Sequence, residues 1–219
     1  MRNLRATGFT LIEMLTVIVI IGIVLAMGLP AVTKLMKSGG LSSASRQVAN
    51  TLGLARQYAI TRRTYARVVF PYWETATNGG NWTNRAQPYL AYSVMASNRS
   101  SQSWVYVSKW EFLPLGSVFL NNVGGLPTVG ALDNANCLQH GLMPYPSTNP
   151  APASGNATLS YVEFDPTGAA TPNPLTEGSS ILTIQEGMIM NTGLPQTTSA
   201  NAVTNTIDTL VGRIKITHP

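Results

Sequence analysis

Residues 9–29, FTLIEMLTVIVIIGIVLAMGL, form an apolar run of 21 residues in which Glu13 is the only charged side chain. As a helix at about 1.5 Å per residue the run spans roughly 31 Å, the thickness of a bilayer core. Arg2 and Arg5 precede it and favour a cytoplasmic start with the rest of the chain exported. Lys34 and Lys37 on the far side oppose that orientation, so charge alone sets it weakly. A carboxylate inside hydrocarbon is costly. Glu13 therefore sits protonated near the interface or is held by a partner.

An ordinary secretory signal has a basic start, a shorter apolar core and a small-residue cleavage site after it. Here a glycine stands before the apolar run, phenylalanine opens it, and an acid falls at its fifth position. The stretch Gly8-Phe9-Thr10-Leu11-Ile12-Glu13 resembles the class III signal of type IV pilins and type II secretion pseudopilins. Gly22 and Pro30 also fall where many pilins carry those residues. The resemblance implies a leader at residues 1–8, cleavage by a prepilin peptidase between Gly8 and Phe9, and N-methylation of Phe9. It implies that Glu13 serves assembly. The cleaved Phe9 amine is a cation at the membrane interface, and Glu13 of a neighbouring subunit neutralises it. An unpaired buried charge costs several kcal/mol, so this pairing favours one axial register between subunits. Expected partners are other pilin or pseudopilin subunits, the prepilin peptidase and inner-membrane lipid. The globular part is expected in the periplasm.

Pro30 donates no backbone hydrogen bond, which leaves the Ala26 carbonyl without its helical partner. Two outcomes remain open there, a kinked or unwound helix and a helix end at the membrane surface. Residues 41–63 read as helix, because Leu41, Ala44, Val48, Leu52, Ala55 and Ala59 recur at spacings of three and four. That stripe is expected to face a sheet. Ser38-Gly39-Gly40 is a weak point between the two helical pieces, either a bend or a tolerated flaw in one long helix.

Beyond residue 63 the period shifts toward two. Strands are expected at 65–72, 89–95, 104–112, 117–120, 159–164, 180–185 and 210–217, with a turn at Asn78-Gly79-Gly80-Asn81. The 19 Gly and 14 Pro lie mostly after residue 70, as a loop-rich β domain requires. Residues 144–158 and 191–205 read as loose loops. The expected fold class is α+β, with a long N-terminal helix, transmembrane in its first half, packed on an antiparallel β-sheet domain. Its parts are a leader (1–8), a transmembrane and assembly helix (9–30), the periplasmic part of the helix (31–63) and a β-rich domain (64–219). Residues 121–158 are expected to be a loop insertion in that domain.

The helix ending Leu54-Ala55-Arg56-Gln57-Tyr58-Ala59-Ile60-Thr61-Arg62-Arg63 and leading into a strand resembles the minor pseudopilin H and FimT group. Trp110-Glu111-Phe112-Leu113-Pro114-Leu115-Gly116, Phe164-Asp165-Pro166-Thr167-Gly168 and Gly212-Arg213-Ile214 carry the same resemblance. The first sixty residues match closely; the later matches are scattered. The resemblance implies a minor pilin or pseudopilin in a type II secretion pseudopilus or a type IV pilus, with no enzymatic activity.

The resemblance also offers DNA as a partner, since FimT-type minor pilins bind it through a Gly-Arg-x-Arg segment near the C-terminus. Here Lys215 replaces the second arginine and gives up the bidentate fork. Alternation puts Arg213 and Lys215 on one face of a strand and Ile214 and Ile216 on the other. Arg62, Arg63 and Arg67 extend the patch if the fold brings them near. The other reading is a solvated strand face. The net charge of +5 falls to +3 without Arg2 and Arg5, which by itself argues for no nucleic-acid partner.

Little else carries chemistry. Cys137 is the only cysteine, so no internal disulfide forms, and it is expected to be buried and inert. Cys137 and His140 have a C-x-x-H spacing but lack the three or four ligands zinc takes. Asp133-Asn134-Ala135-Asn136 lacks the length and closing acid of a calcium loop. No catalytic constellation, metal site or cofactor is expected. The aromatic residues Tyr65, Trp73, Trp82, Tyr89, Tyr92, Trp104, Tyr106 and Trp110 are expected to pack on the sheet, with Trp82 the exposed exception.

Overall fold

The computed structural model describes residues 11–72, 88–97, 103–121, 129–144, 156–171, 179–190 and 194–218, without the side chains of 26–39, 156–157 and 198–200. Gly8 and Phe9, the turn at 78–81, Trp73, Trp82 and most of the 144–158 loop lie outside the described residues. The chain forms two compact units, Met1–Gly39 and Gly40–Pro219, divided at the glycine pair.

A single helix, α1, is assigned over Leu11–Arg62. It does not end at Pro30, nor at Ser38-Gly39-Gly40, so both positions keep a helical backbone. Among the described residues no helix is long and apolar enough to cross a membrane. The described side chains cover the apolar run only from Leu11 to Leu25.

In the second unit, α1 stops at a left-handed residue, Arg63 (φ 50°), where Thr64 N–H donates to the Ala59 carbonyl at 3.1 Å. This is the chain reversal that usually takes glycine. Among the described residues ten strands follow: β1 (Ala66–Phe70), β2 (Ala91–Ser97), β3 (Trp104–Tyr106), β4 (Glu111–Phe112), β5 (Ser117–Phe119), β6 (Gln139–Pro144), β7 (Asn156–Phe164), β8 (Ser180–Ile189), β9 (Pro195–Ile207) and β10 (Ile214–Thr217). They make two antiparallel sheets. One has the order β3-β2-β1-β7-β6, with β4 also on β2; the other runs β10-β9-β8-β5.

The period-two pattern of the strands sorts side chains onto two faces. Val68 and Phe70 of β1 and Val162 and Phe164 of β7 join one cluster with Leu41, Ala44, Val48, Leu52, Ala55 and Ala59 of α1. Leu182, Ile184, Val203 and Ile207 of the second sheet belong to the same cluster. The helical stripe read from spacing is therefore the stripe that is buried. Val69, Met95, Leu159 and Tyr161 point the other way and form a smaller cluster with Trp104, Tyr106 and Trp110 packed against it. Tyr89 and Tyr92 are fully buried, while Tyr65 is 45% exposed and departs from the packing expectation.

Several parts of the β domain differ from the sequence expectation. The strand expected at 210–217 is only β10, because residues 209–211 form the turn before it. Residues 104–112 form two short strands rather than one, both paired to β2. Between them Ser108 Oγ accepts the Val94 N–H at 2.9 Å, a bond that a ladder carbonyl would otherwise take, so the edge bulges there. Residues 191–205, read as loose, contain most of β9, which pairs β8 over its length and then β10. The 121–158 segment is not all loop, since β6 pairs β7 from Gln139↔Tyr161 to Pro144↔Asn156.

Candidate functional site

Two regions carry the residues singled out by sequence. The first is the start of α1. Glu13 lies in the first described turn, where a carboxylate complements the helix dipole. Thr16 Oγ1 donates to the carbonyls of Ile12 and Glu13 at 3.0 and 2.9 Å, which ties this hydroxyl to its own helix. Every large apolar side chain from Leu11 to Leu25 is exposed, at 45% or more of its accessible surface.

The second region is the corner where α1, the segment after β7 and the β9–β10 turn meet. After β7, Asp165 Oδ1 accepts the N–H groups of Thr167 (2.8 Å) and Ala169 (3.0 Å) and the Thr167 hydroxyl (2.6 Å). Burial pushes the Asp165 carboxyl up, but the hydrogen bonds from Thr167, Ala169 and Gly168 outweigh it and hold it below the usual carboxylate value. The turn presents the carbonyl of Gly168, which accepts Arg56 Nε at 2.9 Å. In the β9–β10 turn Asp208 Oδ1 accepts the Leu210 N–H at 2.9 Å, and the Gly212 N–H returns to the Asp208 carbonyl at 2.8 Å.

Gly168 and Gly212 both have positive φ, 88° and 62°. A Cβ on Gly212 would collide with the Gly168 carbonyl oxygen and stand 2.9 Å from Arg56 Nε. A Cβ on Gly168 would stand 2.6 Å from Ile60 Cδ1. Arg56, Gly168 and Gly212 thus interlock. Each comes from one of the separate segments that carry the family resemblance. Their convergence was not read from the sequence, because each segment's residues have unremarkable local roles.

Beside this corner, Arg213 and Lys215 are exposed, and Ile214 and Ile216 pack against the main core, as alternation predicts. Arg62 and Arg63 are exposed at the end of α1. Arg67 does not join them. Its guanidinium lies between the rings of Trp104 (3.8 Å) and Tyr161 (4.1 Å) and pairs with Glu163 at 2.6 Å on the outer face of the first sheet.

Cys137 is buried, and its sulfur accepts the Gly130 N–H at 3.2 Å. His140 Nε2 lies 2.9 Å from the Leu132 carbonyl, and the ring stacks on Tyr72 at 4.8 Å. The C-x-x-H pair is thus spent on packing and backbone contacts. Asn134 Oδ1 accepts the Asn136 N–H at 3.0 Å, a local turn. Among the described residues no three His, Cys, Asp or Glu side chains are placed to hold a metal ion.

Comparison with known proteins gives two findings. The family of the prokaryotic N-terminal methylation motif matches residues 3–29. The structure is similar to that of the minor pseudopilin EpsH from the type 2 secretion system of Vibrio cholerae, at 10% identity and a TM-score of 0.41, over 82% of this chain and 97% of that one. No curated protein matches the chain in sequence. The chain carries at residues 3–29 the N-terminal methylation motif of type IV pilin-like proteins, at the head of an α+β structure whose helix leads into antiparallel sheets.

Proposed function

We propose that this chain is a minor pseudopilin or minor pilin subunit, processed at its N-terminus and assembled into a filament through residues 9–29. The observation that carries the reading is the methylation motif coinciding with a helix whose apolar side chains are uncovered from Leu11 to Leu25. Such a surface is stable in lipid before assembly and against the helices of other subunits afterwards. The chain is then a single-pass inner-membrane protein with its β domain in the periplasm. Prepilin peptidase cuts between Gly8 and Phe9, the new amine is methylated, and Glu13 pairs with the Phe9 amine of a neighbour. The role is structural rather than enzymatic. The division that goes with this reading is a leader (1–8), a membrane and assembly helix (9–30), the periplasmic part of the helix (31–63) and the β-rich domain (64–219).

Glu13→Ala tests the pairing. The variant is expected to be cleaved as the wild type is, yet to be lost from sheared filaments or from cross-linked pseudopilus complexes. Wild-type incorporation of the variant contradicts the assigned role of Glu13.

A further inference from the structure

Gly53 differs from the two glycines of the interlocked corner. It lies in the middle of α1 with ordinary helical geometry, and a Cβ built there would meet nothing within 4 Å. Glycine weakens a helix interior relative to alanine, so the fold gains nothing from it here. Gly53 lines an open groove of about 660 Å³. Ala49, Gly53 and Arg56 of α1 line one wall, and Val211, Gly212 and Arg213 of the β9–β10 turn line the other. Ala49 and Gly53 are one helical turn apart and offer only a methyl group and bare backbone, while Asn50 adds an amide and Ile214 an apolar side chain to the lining. At the rim Leu210 is 85% exposed and Val211 52% exposed.

The charges are one-sided. Arg56 and Arg213 both line the groove; Arg56 spends Nε on the Gly168 carbonyl, and Arg213 is exposed with no ion pair among the described residues. No carboxylate lines the groove among the described residues. The nearby Asp208 carboxylate accepts the Leu210 and Val211 N–H groups of its own turn.

We propose that this groove binds a carboxylate-bearing peptide segment of a partner protein. The peptide backbone or a small apolar side chain lies on Ala49 and Gly53, and an Asp, Glu or C-terminal carboxylate meets Arg213 and Arg56. Guanidinium groups favour carboxylates through paired hydrogen bonds. Two cations beside a lining of small and neutral residues suit a short acidic peptide better than a nucleic-acid duplex, whose affinity draws on a row of phosphate contacts. The inference rests on the second unit's own geometry and does not depend on the fate of residues 9–29.

The test pans a random-peptide library on the full chain in detergent micelles, with Gly53→Leu as the counter-target. That substitution fills the groove from a position with open space, and circular dichroism checks that the helix is kept. Enriched peptides are expected to combine Asp or Glu with an apolar residue. Their affinity, by fluorescence anisotropy, is expected to fall about tenfold or more in Gly53→Leu and in Arg213→Gln, the loss of one charge-assisted contact. Failure to enrich acidic peptides, or full binding by either variant, overturns the proposal. A fluorescent DNA duplex is titrated in parallel. Duplex binding that Gly53→Leu abolishes, with no acidic peptide retained, assigns the surface to nucleic acid and overturns it as well.

Discussion

Replacing Gly212 by alanine perturbs the corner where three distant segments meet. The residue has φ 62°, a region that costs an L-residue roughly 1–2 kcal/mol. Its new Cβ would strike the Gly168 carbonyl oxygen, which is backbone and is itself fixed in a turn at φ 88°. Relief requires the β9–β10 turn to move away. Movement of Gly168 instead breaks the Arg56 Nε bond at 2.9 Å, a hydrogen bond from a charged donor worth about 1.5–3 kcal/mol. The expected loss is about 3–4 kcal/mol, which for a domain of this size lowers the melting midpoint by roughly 10 °C. Gly53→Ala is the internal control, because its Cβ enters open space on α1, the helix that carries Arg56. It is expected to gain up to about 1 kcal/mol and raise the midpoint by about 2–4 °C. Both are read by thermal scans of tryptophan fluorescence on the full chain in one detergent. A Gly212→Ala protein that melts with the wild type, or a Gly53→Ala protein that melts well below it, refutes the reasoning.

Two further predictions concern charges in the β domain. Arg67→Ala removes a cation held between two rings and leaves the Glu163 carboxylate, whose side chain is 11% exposed, without its ion partner. The expected cost is about 3 kcal/mol in urea unfolding, part of it recovered by adding Glu163→Gln; an Arg67→Ala midpoint equal to wild type contradicts the clamp. Asp165 has its folded value depressed, so its stabilisation is present above the ordinary carboxylate value and is lost as pH falls through the folded one. The stability gap between wild type and Asp165→Asn is therefore expected to be flat above about pH 5 and to close below about pH 4. A gap that stays constant down to about pH 2 contradicts the assignment.

Most of the helix can be read from residue order, and in the second sheet β5, the start of β8 and β10 can, while β9 cannot. The α1 stripe is legible because Leu41, Val48 and Leu52 keep helical spacing through a polar background, and all are buried. The strand β10 is legible because Ile214 and Ile216 alternate with two cations. By contrast, β9 turns Val203, Asn205 and Ile207 inward, and the middle one is an amide hydrogen-bonded to Ser45 of α1 at 3.0 Å. A polar residue on the inward face erases the alternation that marks a strand. Strand β6 hides for a related reason: Leu142 is 64% exposed and Met143 is buried, so its apolar residues are adjacent rather than alternating. The split between β3 and β4 depends on the single hydroxyl of Ser108, which no pattern of apolar residues encodes. At the sites, the Gly8-Phe9-Glu13 motif is legible as a local string. The Arg56–Gly168–Gly212 corner is not, because it exists only once Arg56 is brought to two glycines that lie more than a hundred positions away from it.

The most direct test of the account is the mass of the N-terminal peptide of the protein isolated from membranes of its native host. The account predicts a peptide that begins at Phe9 with one added methyl group on its amine. A peptide that begins at Met1, or at any residue other than Phe9, contradicts the processing on which the filament-subunit reading stands.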